Sequence, residues 1–133
     1  MKEIATFAAE CANCGQHFSH PYLGELSYGE AILCTADGKH FAMVSAFEPF
    51  AQRVAPLVKT GTIWSVLASL ADPIAGQPLK SSVQCPHCGS GKLKSWGGNK
   101  TGSTQVSPAS FTVASALHGS ELVRRVEAAQ HEA

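Results

Sequence analysis

Two CxxCG motifs constrain the fold of this chain more than any other feature. They read CANCG at residues 11–15 and CPHCG at residues 85–89, and they contain four of the five cysteines. Four thiolates in two C-x2-C pairs form the ligand set of a closed tetrahedral metal site. The glycine after each pair suits a tight turn whose backbone N–H groups point at sulfur. We therefore predict a single metal site with the ligands Cys11, Cys14, Cys85 and Cys88.

The composition is typical of a globular protein in a reducing compartment. The chain has 133 residues, of which 44% are hydrophobic, so one domain spanning residues 1–133 is expected. No segment reads as a secretory signal, and the longest apolar run is too short to span a bilayer. A cytoplasmic location is therefore expected, where paired cysteines bind metal rather than form disulfides.

The charges balance overall but are unevenly distributed. Ten basic and ten acidic residues give a formal net charge of zero, which argues against a strongly electrostatic nucleic-acid binder. Residues 1–72 carry seven acids and four bases, whereas residues 73–120 carry four lysines and no acid. We expect the acid-rich residues 1–72 to provide a contact surface for a basic protein partner.

The segment between the motifs predicts a β-hairpin followed by two short helices. Residues 31–35 and 40–47 are strand candidates on either side of an Asp-Gly turn at 37–38. The first helix is expected to open at Glu48-Pro49 and to be shortened by Pro56. Thr62 is the predicted N-cap of the second helix, which Asp72-Pro73 ends.

The remaining segments have weaker signals. Residues 73–84 read as a connector, residues 92–96 as a short strand and residues 97–103 as a flexible loop. Residues 107–118 are ambiguous between helix and strand, and Ser120 is expected to cap a helix over 121–130. The predicted fold class is α+β: a metal site, an inserted hairpin with short helices, and a C-terminal helical segment within 107–131.

The two motifs resemble the zinc-ribbon family. The resemblance covers residues 9–20, here called the first knuckle, and residues 83–96, called the second knuckle. It implies that each CxxCG turn lies at the tip of a hairpin and that the two tips hold one Zn²⁺ per chain. Residues 21–80 would then be an insertion, because the knuckles of common ribbons lie much closer in sequence. This long gap leaves open two separate sites, or none.

Other chemistries fit the cysteines less well. The motifs also resemble those of rubredoxin, so an iron site for electron transfer is an alternative, since sulfur-only sites accept either metal. The CPHC run resembles the active site of periplasmic-type thiol oxidases, but the Gly-Ser-Gly run after it is poor helix sequence. His17, His20 and His87 are expected to be exposed loop residues or hydrogen-bond donors to the thiolates.

No other residues form a recognisable catalytic set, so a non-enzymatic function is expected. We predict a small zinc protein that binds another protein, of the immunity or adaptor type. The alternative is a nucleic-acid-binding ribbon that uses residues 80–100, in which Trp96 lies among Lys92, Lys94 and Lys100. The fifth cysteine, Cys34, lies in an apolar strand candidate and is expected to be a buried, inert thiol.

Overall fold

The computed structural model describes residues 2–21, 29–95 and 99–132, and it confirms the predicted α+β fold. Within these residues, seven strands form one mixed sheet with the order β2-β1-β7-β4-β3-β5, and β6 also pairs with β1. The strands are β1 (Lys2–Cys11), β2 (His17–Pro21), β3 (Glu30–Thr35), β4 (Phe41–Ser45), β5 (Leu79–Lys80), β6 (Leu93–Ser95) and β7 (Lys100–Pro108). The helices are α1 (Pro49–Val54), α2 (Ile63–Leu70) and α3 (Gly119–Glu132), with 3-10 turns at Ala55–Leu57 and Ala114–Ala116.

The predicted hairpin is the β3–β4 pair. The two strands are antiparallel, with Ala31 opposite Val44 and Leu33 opposite Ala42. Gly38 has a φ of 75° in the connecting turn, a conformation that glycine adopts at no steric cost. The Asp37 carboxylate accepts hydrogen bonds from the Thr35 hydroxyl and the Lys39 backbone N–H, and these contacts stabilise the turn.

The two helices that follow also agree with their sequence signals. Glu48 is the N-cap of α1, and Pro49 occupies its first turn. The helix changes to 3-10 geometry after Val54, because Pro56 has no N–H to continue the α-helical pattern. Thr62 caps α2 by accepting a hydrogen bond from the Ser65 backbone N–H at 3.2 Å.

Strand β7 corrects the predicted flexible loop over residues 97–103. Residues 97 and 98 lie outside the described residues, but β7 begins at Lys100 and pairs antiparallel with β1 from Lys2 to Phe7. The sequence KTGSTQ lacks the apolar alternation by which a strand is recognised, and its side chains are mostly exposed. The hydrogen-bonded ladder with β1 therefore makes this segment a strand, because its residues have little intrinsic preference for strand structure.

Two further segments were only partly anticipated. Strand β5 lies within the predicted connector 73–84, where it pairs with β3. The ambiguous residues 107–118 divide between the end of β7 and the 3-10 turn Ala114–Ala116. Helix α3 begins at Gly119, one residue before the predicted cap Ser120, a difference within the usual spread of helix boundaries.

The apolar core lies between the three helices and one face of β3, β4 and β5. We call these six elements the helix side, and we call β1, β2, β6 and the two knuckles the knuckle side. Strand β3 contributes Ala31 and Leu33 to this core, and its other face carries the equally buried Ile32 and Cys34. Cys34 is fully buried as predicted, and burial raises the pKa of its thiol to about 11. None of the helices in the described ranges has the length and apolar character needed to cross a membrane.

Candidate metal centre

Strand pairing brings the two knuckles together. The first CxxCG turn connects β1 to β2, and the second directly precedes the residues that lead into β6. Strand β6 pairs with the end of β1, with Leu93 opposite Cys11, and the Ala12 backbone N–H donates to the Lys92 carbonyl at 2.9 Å. The 70-residue separation in sequence is therefore closed by a short antiparallel ladder beside the cysteines.

The two CxxCG turns have the same backbone hydrogen bonds. In the first turn, the N–H of Cys11 donates to the Gln16 carbonyl, and the N–H of Gly15 donates to the Cys11 carbonyl. In the second turn, the N–H of Cys85 donates to the Ser90 carbonyl, and the N–H of Gly89 donates to the Cys85 carbonyl. The two glycines have φ values of 75° and 76°, which only glycine adopts without strain.

Backbone N–H groups in both turns point at the leading sulfur. Asn13 N–H lies 3.3 Å from Cys11 Sγ, and His87 N–H lies 3.4 Å from Cys85 Sγ. Such bonds stabilise thiolate charge and orient the sulfur for a metal. The turns are thus two copies of one ligand-presenting unit, as their shared sequence pattern predicts.

The four predicted ligand sulfurs lie within 4.8 Å of one another. Cys11 Sγ is 3.6 Å from Cys88 Sγ, and Cys14 Sγ is 3.7 Å from Cys85 Sγ. Tetrahedral coordination with metal–sulfur bonds of about 2.3 Å places ligand sulfurs about 3.8 Å apart. The sulfurs therefore form a cage of the size that one metal ion requires, and the arrangement can hold a metal ion.

The cage is buried on one side and exposed on the other. Cys11 and Cys85 are buried, whereas Cys14 and Cys88 are exposed. The Asn13 side-chain amide donates to Cys88 Sγ at 3.6 Å and lowers the pKa of that thiol to about 6. The backbone N–H of Gln16 lowers the pKa of Cys14, but desolvation and the neighbouring thiols outweigh it and raise the value to about 12. A bound cation favours the thiolate form of every ligand.

The histidines lie around the cage and outside it. Among the described residues, only the four cysteines group at metal-binding distance. His17 is exposed and pairs with Glu10 at 3.7 Å, while His87 Nε2 lies 3.3 Å from the His17 carbonyl. The expectation of an exposed loop residue is wrong for His20. It is buried on β2, its Nδ1 donates to the Pro21 carbonyl at 2.6 Å, and burial lowers its pKa.

Sequence analysis missed the contact between the inserted hairpin and the second knuckle. A Cβ atom on Gly38, at the β3–β4 turn, would lie 2.4 Å from the Gln84 carbonyl oxygen and 2.8 Å from the Pro86 nitrogen. The hairpin turn thus packs against the backbone that carries Cys85. The Asp-Gly dipeptide predicts the turn, but nothing local indicates what it touches.

In the described structure, Lys80 lies apart from the other lysines of residues 80–100. Lys80 belongs to β5 at the end of the sheet order, whereas Lys94 on β6 and Lys100 on β7 belong to strands that pair with β1. Lys94 forms an ion pair with Glu10 at 3.4 Å. Trp96, the aromatic residue of the predicted nucleic-acid surface, lies outside the described residues.

The local structure also separates this centre from thiol oxidases. Cys85 lies in a turn that continues to strand β6, not at the N-terminus of a helix, where a reactive cysteine gains its low pKa. Four sulfurs within 4.8 Å of one another instead match a closed metal site. Neither a protein-family model nor a curated protein nor a solved structure matches this chain.

Proposed function

We propose that Cys11, Cys14, Cys85 and Cys88 hold one Zn²⁺ in a zinc-ribbon-like site, and that the metal is structural. The observation that carries this proposal is the sulfur cage, with its 3.6 Å and 3.7 Å edges. Four protein ligands complete the tetrahedron, so no coordination position is left for a substrate. The ion supplies cohesion by joining residue 11 to residue 88.

Metal analysis tests this proposal. The purified protein is expected to contain one zinc per chain, and Cys85→Ser is expected to lose it. Cys34→Ala is the matched control, because Cys34 is a buried thiol outside the cage and its variant should retain full zinc. Two metals per chain, or none, would contradict the shared site. A red protein with bound iron would support the rubredoxin-like alternative.

We further propose that the protein acts by binding another protein rather than by catalysis, as an immunity or adaptor protein does. A closed metal site is chemically silent, so a surface must carry the function. The acid-rich residues 1–72 remain the proposed contact surface for a basic partner. Within them, Glu10 pairs with Lys94, and Asp37 and Asp72 accept hydrogen bonds from their own chain, so they contribute less to such a surface.

Glu48 is one of the described acidic residues within the proposed surface. Burial raises the pKa of its carboxyl, and it makes no side-chain capping bond to α1. The triple variant E25Q/E30Q/E48Q is expected to lose co-purification of a basic partner from the source cell. Unchanged recovery of that partner would contradict the acidic surface. Binding of mixed oligonucleotides that weakens steeply with salt would favour the nucleic-acid alternative instead.

A further inference from the structure

The sulfur cage places each exposed cysteine beside a buried cysteine of the other knuckle. Cys88 Sγ lies 3.6 Å from Cys11 Sγ, and Cys14 Sγ lies 3.7 Å from Cys85 Sγ. Cys14 and Cys88 are exposed, whereas Cys11 and Cys85 are buried. Each pair therefore combines a residue that a small solute reaches from the solvent with a residue that is shielded from it. The two pairs use all four thiols of the cage.

The backbone decides which sulfurs are neighbours while the knuckles are folded. Leu93 of β6 lies opposite Cys11 of β1, and the Ala12 N–H donates to the Lys92 carbonyl at 2.9 Å. The β3–β4 turn packs against the backbone that carries Cys85. A disulfide bond brings two sulfurs to about 2.05 Å, so pairs at 3.6 Å and 3.7 Å close by about 1.6 Å. An exposed sulfur that is oxidised in the folded protein therefore meets the partner beside it in the other knuckle.

We propose that the cage is a redox switch, in which peroxide oxidises the exposed Cys14 and Cys88. Each then forms a disulfide with the buried cysteine beside it, Cys14 with Cys85 and Cys88 with Cys11. Oxidation of cysteine follows thiolate character and exposure, which selects Cys14 and Cys88 as the first sulfurs to react. The switch rests on the proposed function, because it regulates the same metal site, and it adds a stimulus to which that site responds.

The chemistry balances with one peroxide for each disulfide. The exposed thiolate attacks one peroxide oxygen, the O–O bond breaks, and the products are a sulfenic acid and a hydroxide. The neighbouring buried thiolate then attacks the sulfenic sulfur, and its S–O bond breaks to release a second hydroxide. Both hydroxides take up protons from the solvent and become water. Each pair of sulfurs thus gives two electrons to one peroxide, which is reduced to two waters.

The two disulfides remove the ligands but keep the knuckles joined. Sulfurs in a disulfide no longer offer thiolates, so the oxidised cage loses its affinity for metal. The bonds link residues that are 77 and 71 positions apart in the chain, and cross-links that close long loops restrict the unfolded chain most. The oxidised protein therefore releases its metal while the knuckle side stays folded, in contrast to a protein that has lost its metal to a chelator.

Titration of the zinc-loaded full chain with hydrogen peroxide tests the proposal. Zinc release to a chromophoric indicator is expected to reach one ion per chain, and reduction with a dithiol should restore binding. Trypsin without reductant should leave the peptides 3–39 and 81–92 linked, and fragmentation should locate the Cys11–Cys88 and Cys14–Cys85 bonds. Cys34→Ala is the matched control and should release zinc at the same rate, because Cys34 is fully buried and lies outside the cage.

Hydrogen exchange provides a second readout, since β1, β2 and β6 should keep their protection after oxidation. Loss of that protection would overturn the proposal. So would retention of zinc in excess peroxide, sulfinic acid at Cys14 or Cys88 in place of a disulfide, or any other pairing, such as bonds within each CxxCG turn. Absence of zinc before peroxide is added would contradict the metal site and, with it, the switch. Failure of the proposed function and failure of the switch alone are therefore distinguishable.

Discussion

The knuckle side and the helix side of this protein bury very different side chains. The described residues of the apolar core cluster include Leu33, Phe50, Leu67 and Val126, and none of the cluster comes from β1, β2 or β6. On the knuckle side, the buried residues are mostly small or polar, such as Thr6, Ala9 and His20. Apolar burial can hold the helix side together, whereas the knuckle side needs another source of cohesion. Under the proposed function, a metal held by the four cysteines would provide that cohesion.

Removing the metal should have the largest effect and should act mainly on the knuckle side. Binding of structural zinc contributes on the order of 10 kcal/mol to folding in small metal-dependent units. Chelation, or Cys85→Ser, is expected to remove hydrogen-exchange protection from β1, β2 and β6 while the far-UV helix signal largely persists. Simultaneous loss of the helix signal would show that the two sides unfold as one cooperative unit.

Truncating a core side chain should destabilise the helix side. Leu67 on α2 is fully buried in the apolar cluster, so Leu67→Ala is expected to cost about 3 kcal/mol in the free energy of unfolding. Urea denaturation followed by helix ellipticity measures this loss. Zinc stoichiometry should remain one per chain, and early loss of zinc in this variant would contradict the separation of the two sides.

The contact between the sides can be tested at one glycine. Gly38→Ala places a methyl group 2.4 Å from the Gln84 carbonyl oxygen and is expected to cost about 2 kcal/mol beyond the backbone penalty. Gly76→Ala is the matched control. Its φ of 76° imposes a similar backbone penalty, but its added Cβ would have no neighbour within 4 Å. Equal destabilisation of the two variants in urea would mean that the backbone of the second knuckle shifts to accommodate the added methyl group.

The smallest expected effect concerns Asp72, which follows α2. Its carboxylate accepts hydrogen bonds from the Ser110 hydroxyl and from the Thr112 hydroxyl and backbone N–H. The Thr112 hydroxyl and N–H, followed by Ser110, lower the pKa of Asp72 from 3.8 to about 2. Since the folded-state pKa is depressed, the stabilisation is complete above pH 4 and disappears as pH falls through about 2.

Asp72→Asn is therefore expected to lower stability by about 1 kcal/mol at pH 7, a modest value because the group is exposed to solvent. The difference between wild type and variant should vanish near pH 2. Metal loss at acid pH affects both proteins equally and cancels in that difference. A gap that persists unchanged to pH 2 would rule out the carboxylate as its source.

Elements with strong local signals were predicted from the sequence. The Asp-Gly turn, the Pro49 helix start and the Thr62 cap each depend on the conformation or hydrogen bonds of the adjacent backbone. Their residue types therefore predict them from the sequence. The pairing of Cys11 and Cys14 with Cys85 and Cys88 was also anticipated, because both turns carry the same CxxCG pattern. Strand β7 was missed, since its polar residues have no strand preference and depend on β1 for their hydrogen bonds.

The amino-acid sequence alone determined the chemistry of the candidate site, because two C-x2-C pairs and their glycines are local and repeat the same turn. Tertiary structure decided how those turns meet, through the β1–β6 ladder, and how the Gly38 turn packs against the second knuckle. It also placed the two-residue strand β5 at the end of the sheet order, where it pairs with β3. Such contacts join residues distant in the chain, and no local residue preference encodes them.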